Sequence, residues 1–120
     1  MTDFQTTHQL WAPWRMEFIR GPKEEGCFLC RIIRDGAAKD AENLVVFRRK
    51  TCFLLMNRYP YNSGHMMAAP LRHVGTLGAL TAEEMREMME LTCLAQRLLE
   101  RVARPQGFNV GLNQGAAAGA

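Results

Sequence analysis

Apolar and polar positions along this chain follow three different rhythms. Cys52-Phe-Leu-Leu-Met56 is apolar throughout, the pattern of a strand buried on both faces. Asn43-Leu-Val-Val-Phe-Arg48 before it and His65-Met-Met-Ala-Ala-Pro70 after it read as two further short strands. Lys50-Thr51 is a tight link, and Pro70 marks a strand end or an edge position. Over residues 81–103 the rhythm becomes helical. Met85, Met88, Met89, Thr92, Ala95, Leu99 and Val102 recur by threes and fours and predict the core-facing stripe. Glu83, Arg86, Glu87, Glu90, Arg97 and Arg101 fall mostly on the opposite face. Thr81-Ala-Glu-Glu84 is a capping box that starts this helix, and Pro105-Gln-Gly107 stops it. Phe108-Asn-Val-Gly-Leu-Asn113 then alternates, which predicts a half-buried strand with Asn109, Gly111 and Asn113 on its second face.

The remaining segments are shorter. Residues 28–33 begin a short helix that Asp35-Gly36 ends. Leu10-Trp-Ala-Pro-Trp-Arg-Met-Glu-Phe-Ile19 holds both tryptophans, and Pro13 breaks any helix there, so it reads as an arm laid over a core. Asn57-Arg-Tyr-Pro-Tyr-Asn-Ser-Gly64 is a loop by its turn chemistry. Short strands and one long helix in 120 residues make one α+β domain: a twisted antiparallel sheet with the 81–103 helix packed on one face.

Composition narrows the class. Apolar residues are 48% and charged residues 22%, globular values that argue against disorder and low complexity. No apolar run exceeds about five residues, and a membrane span needs roughly 20. The N-terminus lacks a basic flank and an apolar core, so no secretory signal is read there, and the expected compartment is the cytoplasm. A net charge of +3 is too mild to announce a nucleic-acid binder. Twelve of the 15 basic residues are Arg, which suits phosphate and carboxylate partners as well as a biased genome. Four cysteines without an export signal argue against a disulfide scaffold.

Three groups of residues can carry chemistry. Cys27 and Cys30, three positions apart, can take two corners of a tetrahedral zinc, with His73 or His65 as a further ligand. The same pair also reads as two small buried hydrophobes or, less readily, as a redox pair. Cys52 and Cys93 read as core. His65 follows a loop with Asn57, Tyr59, Tyr61, Asn62 and Ser63, a stacking surface with polar partners that suits a nucleoside. Asn109-Val-Gly-Leu-Asn-Gln-Gly115 and its Gly/Ala tail let backbone N–H groups approach an anion, or form an ordinary strand and terminus.

Taken in order, these segments resemble the histidine triad (HIT) superfamily of nucleotide hydrolases and transferases. The resemblance rests on Leu10-Trp-Ala-Pro-Trp-Arg15, Cys27-x-x-Cys30, Phe53-Leu-Leu-Met-Asn-Arg-Tyr-Pro-Tyr-Asn-Ser-Gly-His65, Pro70-Leu-Arg-His-Val74, the capped helix and Asn109-Val-Gly-Leu-Asn-Gln-Gly115. The arm and the Cys pair look like the bacterial branch near dinucleoside tetraphosphate phosphorylases. The resemblance implies one domain, with an arm at 1–26 and a core at 27–120. Phe53 and Leu55 would line the base pocket, Asn57 would bind the ribose hydroxyls, and His65 would sit beside the α-phosphate. Asn113 would contact the phosphate or the surroundings of the catalytic histidine, so the 57–65 loop and Asn113 should meet in one pocket. Zinc would take Cys27, Cys30 and His73 as ligands, with the first histidine of a His-x-His-x-His strand as the fourth.

That histidine strand is not found in residues 1–120, whose histidines are at 8, 65 and 73. The sequence stops where the resemblance would start the strand, which reads as a truncated chain. Family activity is hydrolysis or phosphorolysis of purine nucleoside phosphates, including dinucleoside polyphosphates, through a nucleotidyl-histidine. The intact form is expected to be a homodimer. This chain is expected to carry the binding half of the site without the nucleophile. The rival expectation is a non-catalytic, zinc-stabilised nucleotide-binding or interaction module.

Overall fold

The computed structural model of the protein describes residues 26–57 and 64–115. The predicted arm with Trp11 and Trp14, His8, the loop residues Tyr59, Tyr61, Asn62 and Ser63, and residues 116–120 lie outside the described residues.

Chain order is α1 (Phe28–Asp35), β1 (Val45–Arg48), β2 (Cys52–Met56), β3 (Met66–Pro70) and α2 (Ala82–Val102), with single 3₁₀ turns at Ala37–Lys39 and Leu77–Ala79. The three strands form one antiparallel sheet in the order β1-β2-β3. Cys52 faces Pro70 and Met56 faces Met66 across the β2–β3 ladder. Between β1 and β2 the register shifts within Val45–Phe47. The first strand starts two residues later than predicted because Leu44 has φ 65°, a left-handed conformation that no ladder continues through.

β2 is the centre of the molecule, and its period-two alternation feeds two separate cores. Phe53 and Leu55 face α1, where they pack with Ile32 and Ala69. Cys52 and Leu54 face α2, where they pack with Leu91 and Ala95. This is why the strand reads as uniformly apolar: each side is covered by a helix. Gly36, with φ 80°, ends α1, as its position after Asp35 predicts.

The long helix is present with its capping box: the Thr81 hydroxyl accepts from the Glu84 N–H, and the Glu84 carboxylate accepts from the Thr81 N–H. Its buried face only partly matches the predicted stripe: Ala95 is buried and Met88 packs on the core, as predicted. Glu84, Glu87, Leu91 and Ala95 are buried, whereas Met85, Met89 and Val102 are 46%, 62% and 79% exposed. In its first two turns the helix is rotated by one residue, about 100°. Two buried carboxylates cause the difference. Each accepts hydrogen bonds, Glu84 from Arg72 and the Thr81 N–H and Glu87 from Thr51, so its burial is compensated. Cys52 is core as expected, but Cys93 is exposed on the outer side of α2.

The predicted strand at 108–113 is a second correction. The segment has no regular structure and pairs with no strand among the described residues, and Phe108, Val110 and Leu112 stay 38%, 63% and 53% exposed. Alternation supplies a face, but a strand also needs a ladder partner for its N–H and C=O groups. No described helix is long and apolar enough to cross a membrane.

Candidate functional site

The two ends of β3 carry the two groups of predicted site residues. Beyond its C-terminal end lies a sulfur–nitrogen cluster. Cys27 is the N-cap of α1 and Cys30 sits one turn later, so their side chains share a face. The chain leaves β3 with one more sheet bond, Leu71 N–H to Thr51 O at 2.8 Å. Two residues on, His73 Nδ1 stands 3.2 Å from Cys30 Sγ. The ligand atoms of Cys27, Cys30 and His73 all lie within 4.8 Å of one another. A tetrahedral zinc with Zn–S about 2.3 Å and Zn–N about 2.0 Å sets such atoms about 3.5–3.8 Å apart. The donor set therefore fits a soft divalent cation after movements of about 1 Å or less. A hydrogen bond with Cys27, then desolvation and the Cys27 charge, push the Cys30 thiol above its ordinary range, against the pull of Arg34. Two adjoining sulfurs that resist joint ionisation are what a cation relieves.

At the other end of β3, Asn57 follows β2 and His65 precedes β3. The Asn57 N–H donates to the His65 carbonyl at 3.0 Å, extending the ladder by one pair. Asn57 Nδ2 lies 3.2 Å from His65 Nδ1. In the tautomer that carries its proton on Nε2, Nδ1 accepts from the Asn57 amide. Gly64 turns the chain into this pair with φ 82°, and a Cβ there would fall 2.9 Å from Leu99 Cδ2. Only glycine combines that conformation with so close an approach to α2.

Phe53, Leu55 and Asn57 follow one another on the same face of β2, the face covered by α1. Phe53 and Leu55 are 0% and 1% exposed, so as packed they present no surface to a ligand. The Arg48 guanidinium, forked onto Asp40 at 2.7–3.2 Å, lies 5.9 Å from the Phe53 ring centroid. No hydrogen bond joins Asn113 to Asn57 or His65 among the described residues. Asn113 is exposed on the unpaired 108–113 segment. Its neighbour Gln114 accepts the Leu77 N–H at 2.8 Å, which ties the segment to the β3–α2 connection. A cleft of about 540 Å³ does exist on the α2 side, lined by Phe47, Arg49, Glu90, Cys93, Leu94 and Arg97. None of the predicted site residues lines it.

Sequence reasoning missed two buried carboxylates that hold the sheet to α2. Glu87, read as solvent-facing, accepts both the N–H and the hydroxyl of Thr51 at 2.8 and 2.7 Å. These bonds lower its carboxyl. Glu84 accepts a two-pronged contact from Arg72, at 2.7 and 3.1 Å, besides the capping bond. The Arg72 bonds, then the Thr81 N–H, bring the Glu84 carboxyl down to about 2. The signal in the sequence was the capping box itself, since an N3 glutamate is already turned back towards the chain that enters the helix.

The HIT domain profile matches residues 38–120. The chain belongs to the HIT family. A curated relative, AP-4-A phosphorylase of Mycobacterium tuberculosis (strain CDC 1551 / Oshkosh), is 40% identical over 117 residues, which cover 92% of this chain and 60% of the relative. The chain thus spans about 60% of the length of that HIT relative. Among solved structures, a HIT family protein from Bacillus anthracis superposes with TM-score 0.68 at 21% identity, covering 82% of this chain and 67% of the other. A HIT family member from Bacillus subtilis gives 0.66 at 23% identity, covering 80% and 65%. These two likenesses concern the fold: an antiparallel sheet with a long helix across it.

Proposed function

We propose that this HIT chain binds a nucleoside phosphate at the Asn57–His65 end of its sheet, as part of an enzyme acting on dinucleoside polyphosphates. The observation that carries the reading is the Asn57–His65 pair, whose carboxamide and imidazole meet at 3.2 Å just beyond the β2–β3 ladder. The relative named AP-4-A phosphorylase supports the substrate class. Asn57 takes the ribose hydroxyls, and His65 donates to a phosphate oxygen. Phe53 and Leu55 form the floor of the base pocket, opened by a shift of α1. Cys27, Cys30 and His73 hold a zinc ion, whose contribution is to tie α1 to the end of β3. The full enzyme transfers a nucleotidyl group through a histidine nucleophile, works as a homodimer and resides in the cytoplasm.

A second reading has one observation in its favour. The three histidines of residues 1–120 include no pair two positions apart, so the 120-residue chain binds nucleotide without turning it over. One experiment separates the readings and tests both. The chain is titrated calorimetrically with AMP and assayed for turnover of a diadenosine polyphosphate. Binding that Asn57→Ala weakens by about 1–3 kcal/mol, the scale of a lost buried polar contact, supports the site. Absence of binding at millimolar AMP in a folded sample contradicts it. Turnover that survives His65→Ala would show that the nucleophile lies within residues 1–120 after all.

A further inference from the structure

His73 has little of its own to hold it where the cysteines are. It is exposed, and it lies three residues past β3. From Arg72 to Gly75 the chain makes no backbone–backbone hydrogen bond among the described residues. A segment of that kind samples many conformations, and an imidazole at its tip would meet Cys30 only part of the time. Yet Nδ1 stands 3.2 Å from the Cys30 sulfur.

The residue beside it is pinned from three directions. Arg72 Nε and Nη2 fork onto the two oxygens of Glu84 at 3.1 and 2.7 Å, and Nη2 also donates to the Ala79 carbonyl at 2.9 Å. The second contact stitches the 71–80 connection across its own base. The first ties it to the opening turn of α2, where the same Glu84 carboxylate also accepts the Thr81 N–H at 2.8 Å. Glu84 is 4% exposed. Its charge is therefore satisfied by this guanidinium and the cap rather than by water, and a planar fork fixes direction as well as distance. The rest of α2 is seated on the sheet through Leu91 and Ala95. The series α2, Glu84, Arg72, His73 is a continuous mechanical link from the core to the cluster.

We propose that Arg72 and Glu84 are positioning residues for a metal ion at Cys27, Cys30 and His73, and that their fork holds His73 Nδ1 in ligand range of the two sulfurs. The inference rests on the metal reading above and extends it to two residues that touch no ligand atom. Neither residue bonds the metal, so their removal weakens the site without abolishing it. Loss of supporting contacts around metal ligands typically costs about 10- to 100-fold in affinity.

The test is cobalt titration of the full chain, followed by thiolate-to-cobalt charge-transfer absorption. Arg72→Met and Glu84→Gln are compared with Glu87→Gln, which alters the neighbouring buried carboxylate on the same helix face. Each sample is first shown to unfold cooperatively well above the assay temperature. Expected is a loss of about tenfold or more in cobalt affinity for Arg72→Met and Glu84→Gln, with Glu87→Gln close to the parent. Equal affinity in all four proteins overturns the proposal. A second measurement needs no metal. In a Cys27→Ser, His73→Cys background, the rate of disulfide formation between Cys30 and the thiol at position 73 in a glutathione redox buffer reports how closely the two positions are held. Adding Arg72→Met should slow it severalfold, and an unchanged rate overturns the positioning role. Should the parent chain bind no cobalt, the metal reading fails, and the cross-linking rate alone decides whether the fork places residue 73.

Discussion

β3 has a histidine near each end, and the two are held in different ways. Past its C-terminal end, His73 follows an arginine clamped by a buried carboxylate. Before its N-terminal end, His65 meets Asn57 through a side-chain contact and a backbone bond. The five residues of β3, roughly 17 Å of extended chain, and then Leu71 and Arg72 lie between them. If the proposed cation sits at Cys27, Cys30 and His73, it would lie at the far end of β3 from a phosphate beside His65, and its service would be to fasten α1. The contrast shows how one short strand serves two purposes. The end with charged, buried contacts has its geometry set by the fold. The other end brings Asn57 and His65 side by side where β2 and β3 finish pairing.

The largest effect expected is at the clamped end. Cys27→Ala removes one of two thiolates and should take metal content from about one ion per chain to none, read by elemental analysis of purified protein. AMP affinity in the same variant should stay within about twofold, since the two ends are separate; coupled loss of both would merge the two sites into one.

The next effect lies between the ends. Phe53 and Leu55 are enclosed beneath α1, so Phe53→Ala should destabilise by about 3–5 kcal/mol in urea melts. A loss under about 1 kcal/mol would mean that this side of β2 is already loosely covered, which would strengthen the case for a base pocket there.

A smaller, pH-dependent effect marks the α2 side. The Glu84 carboxyl is depressed to about 2 in the folded chain, from an ordinary 4.5. Between those values the unfolded chain binds the proton and the folded chain does not, so folding stability rises with pH. The contribution is fully present above about pH 4.5 and drains away as the pH falls towards 2. Thermal melts from pH 6 to 2.5 should show a decline that flattens in Glu84→Gln. An identical slope in both proteins would remove Glu84 as its source.

Much of this was legible in the sequence. The three strands, the short helix with its Gly36 stop, the capping box and the Cys27–Cys30 pair follow from local chemistry and short-range pattern, while the choice of His73 over His65 as their companion came from the family resemblance. The failures come from longer range. The stripe on α2 went one residue wrong because a pattern of apolar side chains cannot foresee that Thr51 and Arg72 would bring hydrogen-bond partners to Glu87 and Glu84. Cys93 was placed in the core by its type alone, and the helix turns it outward. Residues 108–113 have the alternation of a strand, but pairing depends on a neighbour that no local pattern contains.

Separation of the two ends is the account's central claim, and chemical-shift mapping tests it most directly. AMP and zinc are titrated in turn into isotopically labelled chain. AMP should move the amides of Asn57, Gly64 and His65, zinc should move those of Cys27, Cys30 and His73, and the two sets should not overlap. AMP shifts centred on Cys93 and Arg97 in the α2 cleft, or one set of amides answering to both ligands, would contradict it.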